Sequence, residues 1–228
     1  MWIAATTRLV ALLGHPVEHS LSPRMQNAAF AALALDWAYV ALDVPPERFE
    51  DAVRGLAAAG FAGANVTAPH KLAAAALVET EAASVNTLVF RDGRIEGRST
   101  DAAILDGLAT ERPVIIGGGG SAVAFGEALP HARRFARKGN WPPEIDDADL
   151  VVNATPVKDD VLVRLGPGQV LVDLPYPGSA TAAAARAAGA TVYDGLDVLV
   201  AQGAASFELW TGVPAPVDVM RAAVRSAA

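Results

Sequence analysis

A run of four glycines, Gly117 to Gly120, separates an apolar segment from an alanine-rich one in "VIIGGGGSAVAF". Gly117, Gly119 and Ala122 fit the pattern G-x-G-x-x-A, in which the first glycine makes a tight turn, the second lets the backbone approach a pyrophosphate, and the small third residue lets a helix pack on a strand. The order strand, glycine turn, helix is the context that this chemistry needs. The pattern favours a dinucleotide site and a tight turn without a ligand about equally.

The residues about 20 positions after a glycine turn of this kind indicate which dinucleotide binds, since an acid there binds a ribose 2'-hydroxyl and an arginine accommodates a 2'-phosphate. The stretch here, "HARRFARKGN", contains no acid. Arg133, Arg134, Arg137 and Lys138 therefore favour NADP over NAD, with Arg137 as the first candidate. The alternative is that these side chains simply solvate an edge strand.

A second set of polar residues follows the small apolar run "GFAGA", where "NVTAPHK" brings in Asn65, Thr67 and Lys71. Similar polar stretches, "GHPVEHSLSP", "VNT", "GRSTD" and "VAQGAASFELWTG", stand at expected strand ends or helix starts. Taken singly they have structural interpretations: Ser22 as a helix N-cap, Thr67 as a hydrogen-bonding residue at a strand end, and Asp101 as an acid favoured by a helix dipole. As an ordered set they indicate a binding site.

The elements that position these residues follow an alternating pattern. In the first hundred residues, "RLVALLG", "WAYVALDV" and "FAGANVT" predict strands, and "PRMQNAAFAALAL" and "PERFEDAVRGLAAAG" predict helices. This is the βαβαβ order of a parallel sheet with crossover helices. "VNTLVFRDGRIEG" predicts a hairpin that turns at Asp92-Gly93. A second series begins at "RPVIIGGGG" and continues with the strands "ARRFARK", "DLVVNAT" and "QVLVDLP".

The composition limits the classes of function. A net charge of -7 argues against non-specific attraction to nucleic acid. The absence of cysteine excludes disulfides and thiolate metal sites, and the four histidines show no HExxH spacing, so no metal site is predicted. The N-terminal segment lacks a basic region and a cleavage site, which predicts a mature cytoplasmic N-terminus.

The segments "HSLSP", "NVTAPHK" and "AQGAASFELWTG", together with the glycine turn, "VVNATP" and "DLPYP", stand in the order found in the shikimate dehydrogenase family. The chain resembles that family nearly from end to end. The resemblance implies an α/β fold with an N-terminal substrate-binding domain that has a mainly parallel sheet, at residues 1–105, on which helices at about 203–228 pack back. A shortened Rossmann-like NADP-binding domain is expected at 106–202.

The resemblance also implies the activity: reversible reduction of 3-dehydroshikimate to shikimate with NADPH, with NAD as a possible substitute, in chorismate and aromatic amino acid biosynthesis. The partner is then a small molecule, without nucleic acid or membrane, in a cytoplasmic monomer or homodimer. Asn65, Thr67 and Lys71 would face the substrate cleft. Lys71 and Asp101 would be the catalytic pair.

The remaining site residues also come from the resemblance. Ser20 and Ser22 would bind the substrate carboxylate with help from Tyr176, and the carboxylate end or ring hydroxyls would be bound by Thr67, Asn86 and Gln202. The residues expected at the cofactor are Gly117, Gly118, Gly119, Gly120, Ser121, Arg137, Asn153, Thr155, Leu174 and Gly195.

The chain departs from the family pattern mainly on the cofactor side. Between Arg137 and the next strand at about Asp149 lie only 11 residues, including Pro142-Pro143, where the family has a helix and an extra strand. A parallel crossover ordinarily needs a dozen or more residues, so a bare loop is expected. The family's "NRT" is "ARK" here, and Asp159 and Asp160 follow "NATP". If they point inward, they repel a diphosphate.

These departures leave alternatives to the dehydrogenase. One is a non-catalytic binder or sensor of a shikimate-type ligand with impaired cofactor binding, and another is a dehydrogenase of quinate or an amino analogue. A flavodoxin-like pair of domains without turnover would explain the glycine turn but not "NVTAPHK".

Overall fold

The computed structural model describes residues 3–226. They divide into two compact units, each with its own sheet and core. The first unit runs up to Thr100 and resumes at Val200, and the second runs from Asp101 to Leu199. Along the chain, the second unit is therefore inserted between the sheet of the first unit and its C-terminal helices.

The first unit contains a five-stranded sheet in the order β2-β1-β3-β4-β5. Its strands are β1 (Arg8–Gly14), β2 (Trp37–Asp43), β3 (Gly63–Val66), β4 (Thr87–Arg91) and β5 (Arg94–Arg98). β1 is parallel to β2 and β3, whereas β4 is antiparallel to both β3 and β5. The predicted strands and hairpin are confirmed, and the turn residues Asp92 and Gly93 have φ angles of 52° and 74°, which suit a tight hairpin.

The second unit contains a five-stranded parallel sheet in the order β10-β9-β8-β6-β7. Its strands are β6 (Pro113–Ile116), β7 (Arg133–Phe135), β8 (Leu150–Asn153), β9 (Val170–Asp173) and β10 (Thr191–Tyr193). The strand order reverses at β6, between β7 on one side and β8 on the other. In open α/β sheets, ligands bind beyond the carboxyl ends of the strands at such a switch point.

Within residues 3–226, seven α-helices connect or cover the strands. They are α1 (Ser22–Ala32), α2 (Phe49–Ala58), α3 (Lys71–Leu77), α4 (Gly120–Ala128), α5 (Ala180–Ala187), α6 (Gly195–Thr211) and α7 (Val217–Arg225). The part of the chain between residues 3 and 226 has no helix long and apolar enough to cross a membrane.

Two features of the second unit were not read correctly from sequence. The strand expected over "ARRFARK" is only three residues long, so Arg137 lies beyond its end. The helix α5 and the short strand β10 were not predicted, because "TAAAARAAGA" and "TVY" carry little hydrophobic contrast. The connection from β7 to β8, residues 136–149, contains neither helix nor strand, as its length predicted.

The part of α6 from Val200 onward packs against the first unit. The ring of Phe207 stacks on that of Phe30 with 5.3 Å between centroids. The Trp210 Nε1 donates to the Leu88 carbonyl on β4 at 2.9 Å. The core strand β1 is buried on both faces, with Val10, Ala11 and Leu13 inaccessible to solvent. This apolar support fixes the edge of the sheet where the polar residues lie.

Candidate active site

The polar segments of the first unit converge at one edge of its sheet. β1 and β3 are parallel and end there. β4 begins there, because Asn65 on β3 pairs with Thr87, and β5 ends there, because Thr87 pairs with Arg98. Thr67 and Asn86 directly adjoin these strand ends and Thr100 lies two residues beyond one, whereas Ser20 and Ser22 lie in the loop after β1 and at the start of α1. The topology therefore brings together polar segments that are more than 30 positions apart in the sequence.

The loop after β1 carries the two serines. Ser22 is buried at the start of α1, and its backbone N–H donates to the Ser20 Oγ at 3.2 Å. The interpretation of Ser22 as the helix N-cap is wrong, because Leu21 occupies that position and no side-chain hydrogen bond caps the helix. A proline in the first turn, Pro23, removes one of the donors that a cap would otherwise satisfy.

Thr67 and Lys71 are separated by a tight turn that holds both in place. The Thr67 N–H donates to the Leu13 carbonyl at 2.9 Å, and the His70 N–H donates to the Thr67 carbonyl at 2.9 Å. The His70 ring is buried, lies 2.7 Å from the Val44 carbonyl through Nε2, and stacks on Phe49. His70 is thus a structural residue.

Lys71 is the first residue of α3 and remains partly exposed. Its carbonyl accepts the Val85 N–H at 3.1 Å, which ties the start of the helix to the segment leading into β4. With His70 anchored on one side and this bond on the other, the position of the Lys71 backbone is well determined.

Asn65, which was expected to face the substrate cleft, is buried and hydrogen-bonded within the first unit. Its side chain is only 4% exposed. Its Oδ1 accepts the Tyr39 hydroxyl at 2.9 Å, and its Nδ2 lies 3.1 Å from the Asn86 carbonyl, 3.1 Å from the Thr87 Oγ1 and 2.9 Å from the Ser206 Oγ. The amide joins strands β2, β3 and β4 to α6, so its role is internal.

Asn86 lies at the centre of the same hydrogen-bond network. Its Oδ1 accepts the Thr100 N–H at 2.7 Å, and its Nδ2 lies 2.9 Å from the Thr100 Oγ1 and 3.3 Å from the Gln202 Oε1. The side chain is 2% exposed. The structure therefore brings two predicted substrate residues, Asn86 and Gln202, within contact of each other.

Two residues of this network were missed from sequence. Ser206 lies one helical turn after Gln202 on α6 and contacts Asn65, Thr87 and Thr100 through its Oγ. The spacing of four residues within "QGAASF" was the available signal, because residues at i and i+4 share a helix face. Thr100, which holds Asn86, carried no signal beyond its place before Asp101.

Asp101 begins a short 3-10 helix, Asp101–Leu105, and is 6% exposed. It directly follows Thr100, the last residue of the first unit, and is itself assigned to the second. Its pairing with Lys71 stays a prediction.

The glycine turn of the second unit links the end of β6 to α4. Gly117 has a φ of +136°, and a Cβ placed on it would lie 2.9 Å from the Ala154 carbonyl oxygen. Glycine is required there by both the backbone conformation and the neighbouring strand. Gly119 is the N-cap of α4, and a Cβ on it would meet nothing within 4 Å. No contact within the described residues therefore requires glycine at position 119, the second glycine of the pattern.

Two other expected cofactor residues lie next to this turn: Asn153 is the last residue of β8, and Thr155 follows two residues later. Asn153 is fully buried; its Oδ1 accepts the Thr155 hydroxyl at 2.8 Å, and its Nδ2 donates to the Asp173 Oδ1 at 2.7 Å. Asp173, fully buried at the end of β9, also accepts the Ser179 hydroxyl at 2.8 Å. These bonds cross-link the carboxyl ends of β8 and β9.

The pKa of Asp173 is raised above its usual range. Burial is the largest cause, and the hydrogen bonds from Asn153 and Ser179 oppose it without cancelling it. Asp149, directly before β8, has a lowered pKa. Burial raises this pKa, but the hydrogen bonds from the Thr110 hydroxyl and from the N–H groups of Glu111 and Arg112 outweigh that effect.

These opposite shifts predict opposite pH dependences for two matched variants. Because its pKa is raised, Asp173 holds its proton more tightly in the folded than in the unfolded protein. Folding stability therefore falls as pH rises from about 4 toward the folded pKa of Asp173. Asp173→Asn should remove that loss and be relatively more stable at neutral pH. Asp149 contributes stability above about pH 4 that is lost as pH falls through its folded pKa, so Asp149→Asn should lose stability at neutral pH. Urea unfolding across pH measures both; parallel curves for the two variants would contradict the assignment.

The remaining cofactor-side residues lie around the same strand ends. The Leu174 N–H donates to the Asn153 carbonyl at 3.0 Å, and a Cβ on Gly195 would lie 2.6 Å from the Leu174 carbonyl oxygen and 2.5 Å from that of Pro175. Tyr176 is half-buried just after β9. Gly118, Gly120 and Ser121 belong to the turn and the first residues of α4.

The four basic side chains of the segment 133–138 have two kinds of surroundings. Arg133 forms an ion pair with Asp147, and the Arg134 guanidinium donates to the Gly126 carbonyl at 2.7 Å. Arg137 and Lys138 are exposed, and the Arg137 guanidinium lies 5.9 Å from the centre of the Trp141 ring. Arg133 and Arg134 therefore serve the edge strand, while Arg137 is available to an anion.

A close contact between Gly14 and Thr67 predicts a sensitive position. A Cβ on Gly14 would lie 2.4 Å from the Thr67 Cγ2, so Gly14→Ala must displace the threonine. If Thr67 binds substrate, the KM for that substrate should rise about tenfold or more, because a hydrogen bond of about 1.4 kcal/mol or more is lost. Steady-state kinetics check this, with Gly55→Ala as a control, because a Cβ on Gly55 would meet nothing within 4 Å. An unchanged KM in a folded Gly14→Ala would show that Thr67 does not bind substrate.

Fold and site together define a two-unit α/β protein: a polar binding edge on one unit and a dinucleotide-type glycine turn at the switch point of the other. Among residues 3–226, no group of three or more histidine, aspartate or glutamate side chains is arranged to hold a metal ion.

Comparisons with known proteins identify the family. Residues 12–88 match the shikimate dehydrogenase substrate binding domain, and residues 195–225 match the shikimate 5'-dehydrogenase C-terminal domain. The chain is 39% identical to the shikimate dehydrogenase (NADP(+)) of Methanopyrus kandleri, over 97% of this chain and 96% of that protein. It is 40% identical to that of Moorella thermoacetica, over 99% and 95%. The chain belongs to the shikimate dehydrogenase family.

Solved structures agree in fold. A crystal structure of a shikimate dehydrogenase in complex with NADP+ has a TM-score of 0.90 and 30% identity, covering 99% of this chain and 97% of that one. The Thermus thermophilus enzyme in complex with NADP(H) and shikimate has a TM-score of 0.86 and 31% identity, covering 97% and 100%. The alignment with the Methanopyrus protein extends over 279 positions, more than the 228 residues here, so that relative has segments that this chain lacks.

Proposed function

We propose that this protein is an NADP-dependent shikimate dehydrogenase that catalyses the reversible reduction of 3-dehydroshikimate to shikimate. The observation that carries the proposal is a relationship of about 40% identity, over nearly the full length, to proteins with that name. The geometry of the first unit supports it, since the polar segments typical of the family meet at one sheet edge.

In this proposal the substrate is bound by neutral hydroxyl and amide groups. Ser20 and Ser22 bind its carboxylate, assisted by Tyr176, and Thr67, Asn86 and Gln202 bind its carboxylate end or its ring hydroxyls. The fixed positions of Asn86 and Gln202 favour directional recognition, because their amides are held by Thr100 and by each other before a ligand arrives. A ligand that lacks a matching hydroxyl leaves buried groups unpaired and binds more weakly.

Lys71 and Asp101 perform the proton transfer in this proposal. When a hydride reaches the ring carbonyl, negative charge develops on its oxygen, and a cationic donor within hydrogen-bond reach stabilises that charge and delivers the proton. Lys71 is suited to this because its backbone is tied down on both sides while its side chain remains partly exposed. Asp101 orients the ammonium group.

The second unit is suited to bind NADP, which supplies or accepts the hydride when bound. Gly119 at the start of α4 has open space where a side chain would lie, as a close approach of a pyrophosphate requires. Gly117, Gly118, Gly120 and Ser121 form the rest of this turn. Asn153, Thr155, Leu174 and Gly195 line the neighbouring strand ends. Arg137 binds the 2'-phosphate, since it is exposed and, among the described side chains, has no acidic partner.

Removal of the Arg137 side chain should therefore discriminate between the two coenzymes. Arg137→Ala is expected to raise the KM for NADP about tenfold, because a charge-assisted hydrogen bond contributes about 1.5 kcal/mol or more. The KM for NAD should change little. Lys138→Ala is the matched control, as a neighbouring exposed cation. Equal effects of Arg137→Ala on both coenzymes would remove Arg137 from the 2'-phosphate site.

The direct test is to mix the protein with shikimate and NADP and to follow formation of reduced nicotinamide by absorbance. Turnover with NADP above that with NAD is expected. Calorimetry separates the enzyme from a ligand sensor, because a sensor binds shikimate without binding NADP. No turnover with either coenzyme would overturn the proposal. As a further part of it, we place the protein in the cytoplasm, in the synthesis of chorismate and the aromatic amino acids.

A further inference from the structure

Trp141 is the most exposed phenylalanine, tyrosine or tryptophan in the part of the chain that the structure describes, residues 3–226. It is 38% exposed, whereas Trp37 and Trp210 are 7% and 4% exposed. Every phenylalanine and tyrosine of that range is buried or half-buried. A single exposed apolar residue needs no explanation by itself, so its surroundings decide what Trp141 does.

The ring belongs to the connection between β7 and β8, residues 136–149, which is anchored on both sides of Trp141. Before the ring, the Asn140 Nδ2 donates to the Arg134 carbonyl of β7 at 2.6 Å. After it, Ile145 is only 6% exposed and belongs to the core of the second unit. The indole is therefore carried by a segment whose backbone is held in place, although that segment contains neither helix nor strand.

This connection begins beside the glycine turn. The Gly117 N–H donates to the Phe135 carbonyl at 2.9 Å. A Cβ on Gly118 would lie 3.8 Å from the Ala136 Cβ. β6 and β7 are parallel neighbours, so both end at the same edge of the sheet. The chain that leaves β7 toward Trp141 thus starts next to the turn that is proposed to hold the pyrophosphate.

Arg137 relates the ring to a second part of the coenzyme. Its guanidinium carbon lies 5.9 Å from the centre of the Trp141 ring. This distance is close to the limit of about 6 Å for a cation–π contact, so the contact is loose and leaves the ring exposed. In the proposed function, on which this inference rests, Arg137 binds the 2'-phosphate. Because that phosphate and the adenine are attached to neighbouring carbons of one ribose, a residue that holds the phosphate brings the base close to Trp141.

We propose that Trp141 is a further coenzyme-binding residue, whose indole stacks on the adenine of NADP. A flat aromatic side chain binds a base by stacking and needs no hydrogen-bond pattern to do so. The indole supplies a wall for the adenosine in the part of the second unit where β7 and β8 are joined without a helix. Trp141 then recognises the base, which NADP and NAD share, and Arg137 recognises the phosphate, which only NADP carries.

Calorimetry on the full chain with NADP and NAD tests this division of roles. Trp141→Ala is expected to raise the Kd values of both coenzymes by the same factor, about tenfold, because both carry adenine. This pattern differs from that of Arg137→Ala, which acts on NADP alone. Trp141→Phe keeps a flat ring and should bind both coenzymes within about threefold of the wild type. Val161→Ala is the control, since Val161 is 40% exposed in the same unit and should leave both Kd values unchanged.

Fluorescence gives a readout that does not depend on turnover. The probe is 2',5'-ADP, which carries the adenine and the 2'-phosphate but no nicotinamide. Its binding should quench the indole emission of the wild type, because stacking brings the base into contact with the exposed ring. Trp141→Phe should still bind this probe but lose most of the quench, since Trp37 and Trp210 are buried.

The proposal is overturned if Trp141→Ala binds NADP as tightly as the wild type does. A rise in the Kd of NADP alone also overturns it, because Trp141 would then act only through Arg137. Either result leaves the proposed function intact as long as the wild type turns over shikimate with NADP. Conversely, a wild type that binds 2',5'-ADP with the expected quench but shows no turnover would contradict the dehydrogenase and not the role of Trp141.

Discussion

Lys71→Met should lower the kcat for shikimate oxidation by about 10²–10⁴-fold, the usual contribution of a positioned general acid–base group. The stability of the fold should change little, since the side chain is partly exposed. The KM for shikimate should change far less than kcat, because the interaction strengthens only as charge develops on the reacting oxygen.

Two further variants make this prediction specific. Lys71→Arg keeps the cation but removes a group that readily gives up a proton, so it should bind shikimate while remaining slow. Lys158→Met, at an exposed lysine of the second unit, changes the charge equally and should leave kcat unaltered. If Lys71→Met kept a tenth or more of the wild-type kcat, the catalytic assignment would be wrong.

Asn65→Ala is expected to have the largest effect on stability. It should lower the free energy of unfolding of the first unit by about 2–4 kcal/mol, because bonds to Tyr39, Thr87 and Ser206 are lost at a buried site. Because the amide connects three strands to α6, its loss also weakens the network that holds Asn86. Chemical denaturation of the variant, followed by circular dichroism, measures the change.

The matched control for this effect is Asn140→Ala. Asn140 is exposed, and its side chain makes one hydrogen bond, to the Arg134 carbonyl. Its replacement should cost within about 0.5 kcal/mol, as is usual for surface substitutions. An effect of Asn65→Ala as small as that of the control would show that the buried network does not stabilise the unit.

The features of the fold that were predicted correctly depend on short stretches of the amino-acid sequence. The strand "RLVALLG" has the bounds of β1, and the Asp92-Gly93 turn and the glycine turn at Gly117 lie where the pattern predicted. The bare connection between β7 and β8 followed from its length alone. Each of these depends on hydrophobic periodicity, on turn chemistry or on chain length, which can be read from a few neighbouring residues.

The role of each polar residue was less accessible. "NVTAPHK" presents Asn65, Thr67 and Lys71 as equivalent members of one segment, yet Asn65 is an internal residue while Lys71 is partly exposed. Along a strand, side chains alternate between the two faces, and which face is buried depends on the elements packed there. Here that element is α6, more than 100 positions away, which brings Ser206 to Asn65.

By itself the amino-acid sequence determined the two α/β units, the family, the glycine turn and the set of residues that could do chemistry. Tertiary structure alone decided that Asn65 and Ser206 support Asn86, and that Arg134 serves the edge strand while Arg137 is available to an anion. The physical reason is that secondary structure depends on near neighbours, whereas hydrogen bonds, burial and charge pairing depend on residues that only the folded sheets bring together.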